Sequence, residues 1–204
     1  MITLALIILT VGLSIYAWKQ DNLLYKLTLN PYNVLKKKQY YRFLTSGFVH
    51  VDTMHLILNM ISFFSFGLAV EQYFSIYFGA EASYAFLLFY ISAIIVSDIP
   101  SFIKNKNNLN YNSLGASGAI SAVIFASILH NPLGQIYVLF FPLPGFIVGV
   151  LYIIYTAYQT NNRYSNINHD AHLYGGLYGI AVCLILNPDL IRTFTSAVIG
   201  YRPF

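Results

Sequence analysis

Six predominantly apolar segments alternate with more polar stretches along this chain. A transmembrane helix needs roughly 20 residues to cross a hydrocarbon core that is roughly 30 Å thick. The segments are too long and too uniformly apolar for the alternating strands of a membrane barrel. The pattern therefore predicts an all-α, polytopic membrane protein, with a single six-helix domain over residues 1–204. The predicted spans are about 2–18, 54–74, 82–103, 116–130, 145–159 and 170–187.

The connections between these segments differ in length and character. Residues 19–53 mix lysine and arginine with tyrosine and phenylalanine, which is typical of a segment in the membrane interface. Residues 104–113 form a polar loop, and residues 188–204 form a short C-terminal tail. An Asn-Pro pair ends the fourth segment, and a second one ends the sixth.

Composition agrees with this class. The chain is 57% hydrophobic and 9% charged, whereas about a quarter of the residues of a soluble domain are charged. The formal net charge of +4 is modest. No His-Glu-x-x-His or similar ligand spacing occurs, so neither a metal nor another cofactor is expected. Nucleic acid is not expected as a partner, and the sequence does not indicate an oligomeric state.

Ser117 opens the fourth segment within the run Gly115-Ala116-Ser117-Gly118. The apolar residues from Ser117 to His130 would form a helix only about 20 Å long at 1.5 Å per residue. Such a helix is too short to cross the full core. We therefore expect Ser117 to lie below the membrane surface, where only a cavity makes it accessible.

His172, near the start of the sixth segment, is the candidate base for this serine. A serine hydroxyl is a weak nucleophile until a base within roughly 2.6–3.2 Å accepts its proton. Small residues on both segments allow the two helices to pack closely. A glycine stripe or a Gly-x-Ser-Gly run alone has little weight, and their combination points to acyl transfer. The small residues are Gly175, Gly176 and Gly179 on the sixth segment, and Gly118, Ala122 and Ala126 on the fourth.

A polar cluster at the start of the second segment comprises His50, His55 and Asn59. His55 and Asn59 are four residues apart, hence neighbours on one helix face. Acyl transfer generates an oxyanion that needs preorganised donors. The imidazole, the carboxamide and the Ser117 amide could supply them, because first-turn amides have no intrahelical partner. The alternative is that this pair only holds helices together.

These motifs resemble the rhomboid family of intramembrane serine proteases along nearly the whole chain. The order of the motifs and their placement on six segments carry the resemblance, since each motif alone is weak. They are Tyr41-Arg42, His50-x4-His55-x3-Asn59, Gly67-x3-Glu71, Gly115-Ala116-Ser117-Gly118 and Ala171-His172-x2-Gly175-x3-Gly179.

The resemblance implies a rhomboid-like bundle in which Ser117 is the nucleophile and His172 the general base, acting as a dyad. It also implies an oxyanion hole formed by His55, Asn59 and the Ser117 amide. Gly115 and His50 are assigned with them to oxyanion or substrate binding. The residues assigned to structural support are Arg42, Glu71, Gly118, Gly175 and Gly179, with a hypothetical pair between Arg42 and Glu71.

The implied substrates are single-span membrane proteins, cut within their transmembrane segments in the lipid bilayer. The implied location is the plasma or inner membrane if the chain is bacterial. Two other classes remain open. One is a non-catalytic rhomboid-like protein that binds membrane clients, and the other is a small transporter.

Two positions near the dyad need separate comment. Many relatives carry Tyr or Phe at the position of Ser121, stacked against the base. Either another ring supports His172 here, or its orientation is looser. Asp170 is two residues from His172 and so points to a different face. We expect it to cap the sixth helix, where negative charge suits the helix dipole.

Orientation in the membrane is left open by the sequence. The positive-inside rule would place the basic first, third and fifth connections in the cytoplasm. The family resemblance implies the opposite for the first connection. The basic residues of these connections are Lys19, Lys26, Lys36, Lys37, Lys38, Arg42, Lys104, Lys106 and Arg163.

Overall fold

A computed structural model describes residues 1–138, 140–160 and 167–202 as a helical bundle. Arg163 lies outside these residues. The α-helices of the described part are α1 (Ile2–Trp18), α2 (Asp21–Leu27), α3 (Pro31–Lys37), α4 (Arg42–Thr45), α5 (Thr53–Phe78), α6 (Ala82–Asn105), α7 (Ser117–His130), α8 (Gly145–Gln159), α9 (His169–Leu186) and α10 (Leu190–Gly200).

Each of the six predicted apolar segments forms a helix: α1, α5, α6, α7, α8 and α9. Helix α5 runs further than predicted, to Phe78, because nothing breaks it before Gly79, which adopts a positive φ of 51°. By length and hydropathy, one run of the described residues, Thr53–Asn105, is suited to cross a membrane, and it consists of α5 and α6. Helices α9 and α10 satisfy the same criterion as a pair bent by 114°. The number of spans therefore stays a prediction.

Two elements depart from the predicted secondary structure. The connection between α7 and α8 contains an antiparallel hairpin of strands β1 (Gln135–Val138) and β2 (Phe141–Pro144), so the fold is not purely helical. β-branched and aromatic side chains in these strands favour extended structure. The C-terminal tail contains α10. The Asn-Pro pair after α9 predicts the end of a helix, but a proline is also tolerated at the start of the next helix, so the pair gave no sign of α10.

The core lies between α5, α6 and α7. The ring of Phe63 on α5 stacks on Tyr90 of α6, with ring centroids 4.5 Å apart. Both side chains are fully buried. Helix α7 is buried along most of its length, which places its first residue, Ser117, at one end of an enclosed helix.

Arg42 organises the first connection. Its side chain is 2% exposed and donates to the carbonyl oxygens of Tyr25 and Thr28 at 2.7 and 2.6 Å, and to Gln39 Oε1 at 2.7 Å. A buried guanidinium needs such acceptors, since its five donors would otherwise lose their water partners.

The hypothetical pair between Arg42 and Glu71 is not formed, and that prediction is wrong. Glu71 instead binds the first turn of α1, where its carboxylate accepts from Ile2 N at 2.6 Å and from Thr3 N and Oγ1 at 3.0 and 2.8 Å. First-turn amides have no partner within their helix, so a carboxylate on the neighbouring helix is well placed to bind them. Both residues are structural, but at separate sites.

Candidate active site

Ser117 and His172 lie near the starts of α7 and α9, and the two helices touch backbone to backbone at this level. A Cβ atom added at Gly118 would lie 3.3 Å from the carbonyl oxygen of Ala171, and one added at Gly175 would collide with the carbonyl oxygen of Gly118. Ser117 directly precedes Gly118, and His172 directly follows Ala171. The absence of side chains at the glycines therefore brings the two helix starts together.

A cavity of about 1040 Å³ opens at these helix starts. Ser117, His172, His55, Asn59 and Gly115 all line it, although they come from three separated stretches of the chain. The structure thus brings together five of the six residues assigned to catalysis or to oxyanion and substrate binding. Among the described residues, no group of three or more His, Cys, Asp or Glu side chains is placed to bind a metal ion.

Within the described part of the chain, no hydrogen bond joins the Ser117 hydroxyl to His172. The two side chains share the cavity wall without being locked together. Catalytic hydrogen bonds are often long in the absence of substrate and shorten when it binds. A hydrogen bond between Ser117 and His172 would therefore have to form when a substrate binds.

The imidazole of His172 packs between two rings. Tyr152 of α8 lies nearly parallel to it, with centroids 6.1 Å apart and planes at 17°. His169 meets it edge-on at 6.1 Å. Sequence reasoning asked whether another ring replaces the one missing at position 121 and did not find Tyr152, because it is distant in the chain and looks like any aromatic residue of an apolar helix.

Ser121 links this ring to Ser117. Its hydroxyl bonds the carbonyl oxygen of Ser117 at 2.9 Å and lies 2.7 Å from the Tyr152 hydroxyl. Ser121, which stands where many relatives carry an aromatic residue, thus forms a hydrogen bond with Tyr152, the aromatic residue beside His172.

The start of α5 forms another part of the cavity wall. Asp52 caps this helix by accepting from His55 N at 2.8 Å, and the Asn59 carboxamide donates to His55 O at 2.8 Å. Gly115 has a φ of 120°, and a Cβ atom there would lie 2.6 Å from His55 Cε1. Glycine is required at this position both by the backbone and by the imidazole beside it.

His50 does not line the cavity and instead lies in the interior, where it contacts the residue before Ser117. It is fully buried, and its Nε2 accepts from Ala116 N at 3.4 Å while its Nδ1 lies 3.1 Å from Ser14 Oγ. Burial, reinforced by His55 and opposed by Asp52, lowers the pKa of His50 from 6.5 to about 3. A neutral ring with its proton on Nδ1 fits both contacts. His50 therefore has no direct access to the cavity, and its assignment to oxyanion or substrate binding stays a prediction.

Asn168 is the cap of α9, which sequence reasoning assigned to Asp170. Its Oδ1 accepts from Ala171 N at 3.1 Å and from Ser101 Oγ at 2.7 Å. Asp170 instead pairs with Lys104 Nζ at 2.6 Å. The physical reason is reach, since a side chain that caps a helix must precede it, and Asp170 is already within the first turn. An Asn immediately before the helix was a signal that could have been used.

Asp98 is a second residue that sequence reasoning missed. It is a buried carboxylate on α6 that lines the cavity and contacts Ser46 Oγ at 3.4 Å and Asn168 Nδ2 at 3.3 Å. A carboxylate inside an apolar helix is a functional candidate by default, so the signal was present. Its contacts connect the first connection to the cap of the helix that carries His172.

Comparison with known proteins gives one family. The model of the rhomboid domain matches residues 37–189, which include every residue described above as lining the cavity. The match starts after α1, so Ser14 and the first turn bound by Glu71 lie outside it.

Three similar proteins illustrate the range of relatives. RHOMBOID-like protein 12, mitochondrial, of Arabidopsis thaliana is 29% identical over 69% of this chain and 44% of its own length. Presenilin-associated rhomboid-like protein, mitochondrial, of Homo sapiens is 31% identical over 67% of this chain and 35% of its own. Rhomboid protease GluP of Bacillus subtilis (strain 168) is 31% identical over 72% of this chain and 26% of its own. The chain thus spans less than half the length of these curated relatives.

Proposed function

Because the chain belongs to the rhomboid family, and is therefore an integral membrane protein, we propose that it is a serine endopeptidase that cuts other proteins within their transmembrane segments. Ser117 is the nucleophile and His172 the general base. The observation that carries the proposal is the meeting of the α7 and α9 starts. Their glycines allow the two helix starts to meet, and Ser117, His172, His55 and Asn59 all line the cavity at that point.

The proposed reaction has two halves. Ser117 Oγ attacks the carbonyl carbon of the scissile peptide while His172 accepts the hydroxyl proton. The proton then passes to the leaving amine as the C–N bond breaks, which leaves an ester on Ser117. A water molecule then attacks this ester while His172 accepts its proton, and His172 returns the proton to Ser117 Oγ as the ester C–O bond breaks and the new carboxyl end is released.

The oxyanion formed in each half needs donors on the far side of the reacting carbon. The Ser117 amide is available, because it belongs to the first turn of α7. His55 and Asn59 supply the side-chain donors from α5. Gly115 admits the His55 ring to this position, since any side chain there would overlap the imidazole.

A fluorophosphonate probe tests this proposal directly, because it phosphonylates only an activated serine. We expect labelling of the full chain in detergent micelles and its complete loss in Ser117→Ala. His172→Ala should lower the labelling rate by about 100-fold or more, which is the usual contribution of a general base. Equal labelling of all three proteins would contradict the proposal.

One observation favours a second candidate, a non-catalytic protein that binds membrane clients. Ser117 and His172 form no hydrogen bond with each other in the described residues, as would be expected if the cavity only held a client segment. This candidate and the transporter class both predict no labelling. Cleavage of a panel of single-span membrane proteins in liposomes separates the classes, since only the protease yields Ser117-dependent fragments.

We also propose that α1, α5, α6, α7, α8 and α9 each cross the membrane. Helices α5 and α6 have 26 and 24 residues, about 39 and 36 Å at 1.5 Å per residue. Helix α7 has 14 residues and would span only about 21 Å, which leaves Ser117 below the surface. Mitochondrial and bacterial proteins are both among the similar proteins, and we propose a location in an inner or plasma membrane.

For the orientation, we propose that the N-terminus is cytoplasmic and that the first connection lies on the far side. Two of the basic residues that argue otherwise are held within the fold, since Arg42 is buried among carbonyl oxygens and Lys104 pairs with Asp170. Single cysteines at Lys37 and Asn107 should both be labelled by an impermeant maleimide from the far side only, and labelling of both from the cytoplasmic side only would refute this orientation.

A further inference from the structure

Tyr152 contacts the proposed base, and the proposed mechanism does not use it. Its ring lies nearly parallel to His172, at 6.1 Å and 17°, which is within the range of stacked aromatic pairs. We propose that Tyr152 is a positioning residue that holds the His172 imidazole for proton exchange with Ser117, and that Ser121 fixes the tyrosine ring. This inference rests on the proposed function and deepens it.

Helix α8 is built to present this ring. Gly145, Gly149, Tyr152 and Thr156 follow one another at spacings of four, three and four residues, and so share one helix face. The other three are small and buried, which allows α8 to approach the bundle. Tyr152 is the large side chain of this face, whereas Val150, Leu151 and Ile154 on the other faces are exposed.

The hydroxyl of Tyr152 is fixed by a chain of hydrogen bonds. The Ser121 hydroxyl donates its only proton to the carbonyl oxygen of Ser117 at 2.9 Å. It must then accept from the Tyr152 O–H at 2.7 Å. The chain therefore connects the ring beside the base to the helical turn that carries the nucleophile.

Phe125 supports the same ring from α7. Its centroid is 5.7 Å from that of Tyr152, with planes at 56°. A Cβ atom at Gly176, one turn after His172, would lie 2.7 Å from Phe125 Cδ2, so Phe125 is itself held by α9. Tyr152 is thus held in place by Phe125 and Ser121 of α7.

The first test measures the rate of fluorophosphonate labelling in ring variants of the full chain. Tyr152→Leu should label about 10- to 100-fold more slowly, because a displacement of about 1 Å at a reacting group costs about that much. Tyr152→Phe keeps the ring and should fall by less than about fivefold. Tyr158→Leu, on the same helix but 81% exposed, is the matched control and should label like the unsubstituted protein.

A transplanted ring tests position separately from stability. In the double variant Ser121→Tyr with Tyr152→Ala, the ring is supplied from α7 and should restore most of the labelling rate lost in Tyr152→Ala. For a cleaved peptide substrate, the loss in Tyr152→Leu should lie in kcat with KM nearly unchanged. A labelling rate of Tyr152→Leu equal to that of the unsubstituted protein would overturn the inference.

A second measurement does not depend on activity. Diethyl pyrocarbonate modifies exposed imidazoles, and mass spectrometry reports the modified fraction of His172. We expect it to rise in Tyr152→Leu and stay unchanged in Tyr158→Leu. No rise would overturn the contact between the ring and His172, even in a protein that labels. A rise in a protein without Ser117-dependent labelling would contradict the proposed function but leave the contact standing.

Discussion

Helix α7 is held by its neighbours in two different ways. Against α9, backbone meets backbone, since a Cβ atom at Gly175 or Gly179 would collide with a carbonyl oxygen of α7. Against α8 and the loop before α5, side chains make the contact, through Tyr152, Phe125 and His50. Backbone cannot repack, whereas side chains can change rotamer. The first contact therefore fixes the positions of Ser117 and His172, the proposed dyad, and the second adjusts their orientation.

The largest effect is expected for Gly175→Ala. The added methyl group meets the carbonyl oxygen of Gly118, which cannot move without displacing α7. We expect a loss of about 3 kcal/mol in the free energy of unfolding, the upper end for overpacked sites, with loss of serine labelling. The measurement is the thermal unfolding midpoint in detergent micelles.

Gly12→Ala is the control for this substitution, because a Cβ atom at Gly12 has open space around it. The midpoint of this variant should not fall, since alanine suits a helix interior better than glycine. Equal midpoints of Gly12→Ala and Gly175→Ala would refute the backbone contact.

Gly176→Ala should have an intermediate effect. Its methyl group would lie 2.7 Å from a ring atom of Phe125, a side chain that can turn at a cost. We expect a loss of about 1–2 kcal/mol. Labelling should slow more than the midpoint shift suggests, because Phe125 also supports Tyr152. Unchanged labelling with a lowered midpoint would break the link between Phe125 and the base.

The lowered pKa of His50 makes the stability of the folded protein depend on pH. The pKa of His50 is about 3 in the folded protein and about 6.5 when unfolded, so the unfolded state binds more protons between these values. Stability should be complete above pH 6.5 and fall as the pH drops, by about 1 kcal/mol between pH 6.5 and 5.5. Midpoints measured across this range test it.

His50→Gln is the comparison variant, because it keeps an acceptor for Ala116 N but does not titrate. Its midpoint should fall less steeply over the same range. If both proteins show the same slope, the titrating group lies elsewhere.

Gly149→Ala should have the smallest effect. A Cβ atom there lies 3.3 Å from terminal atoms of Ile128 and Phe125, which can give way. We expect a change within about 0.5 kcal/mol, because the helix preference for alanine offsets slight crowding. A loss as large as that of Gly175→Ala would show that α8 is held as rigidly as α9.

The sequence was sufficient for the six apolar helices and for the cluster around Ser117, and the reason is physical. Apolar length marks such helices, and small residues at Gly175 and Gly118 mark where helices can touch. The roles of these residues stay a prediction. The two main-chain acceptors of Arg42 could not be found, because carbonyl oxygens of the main chain carry no sequence signal.

Long-range side-chain pairs were equally hidden. The small residues that share a helix face with Tyr152 indicate that it faces the bundle, but only the geometry places its hydroxyl on Ser121. Glu71 was assigned to a partner by analogy, and the structure gives it the first turn of α1. Asn168 and Asp98, in contrast, carried signals that general rules on helix caps and buried charges could have identified.

The hydrogen bonds from Arg42 to the carbonyl oxygens of residues 25 and 28 have an evolutionary consequence. Such hydrogen bonds recognise the course of the main chain and do not involve the side chains of the residues that accept them. The outer surface of this region is therefore free to diverge, for instance to suit membranes of different headgroup composition, while one buried cation keeps its shape.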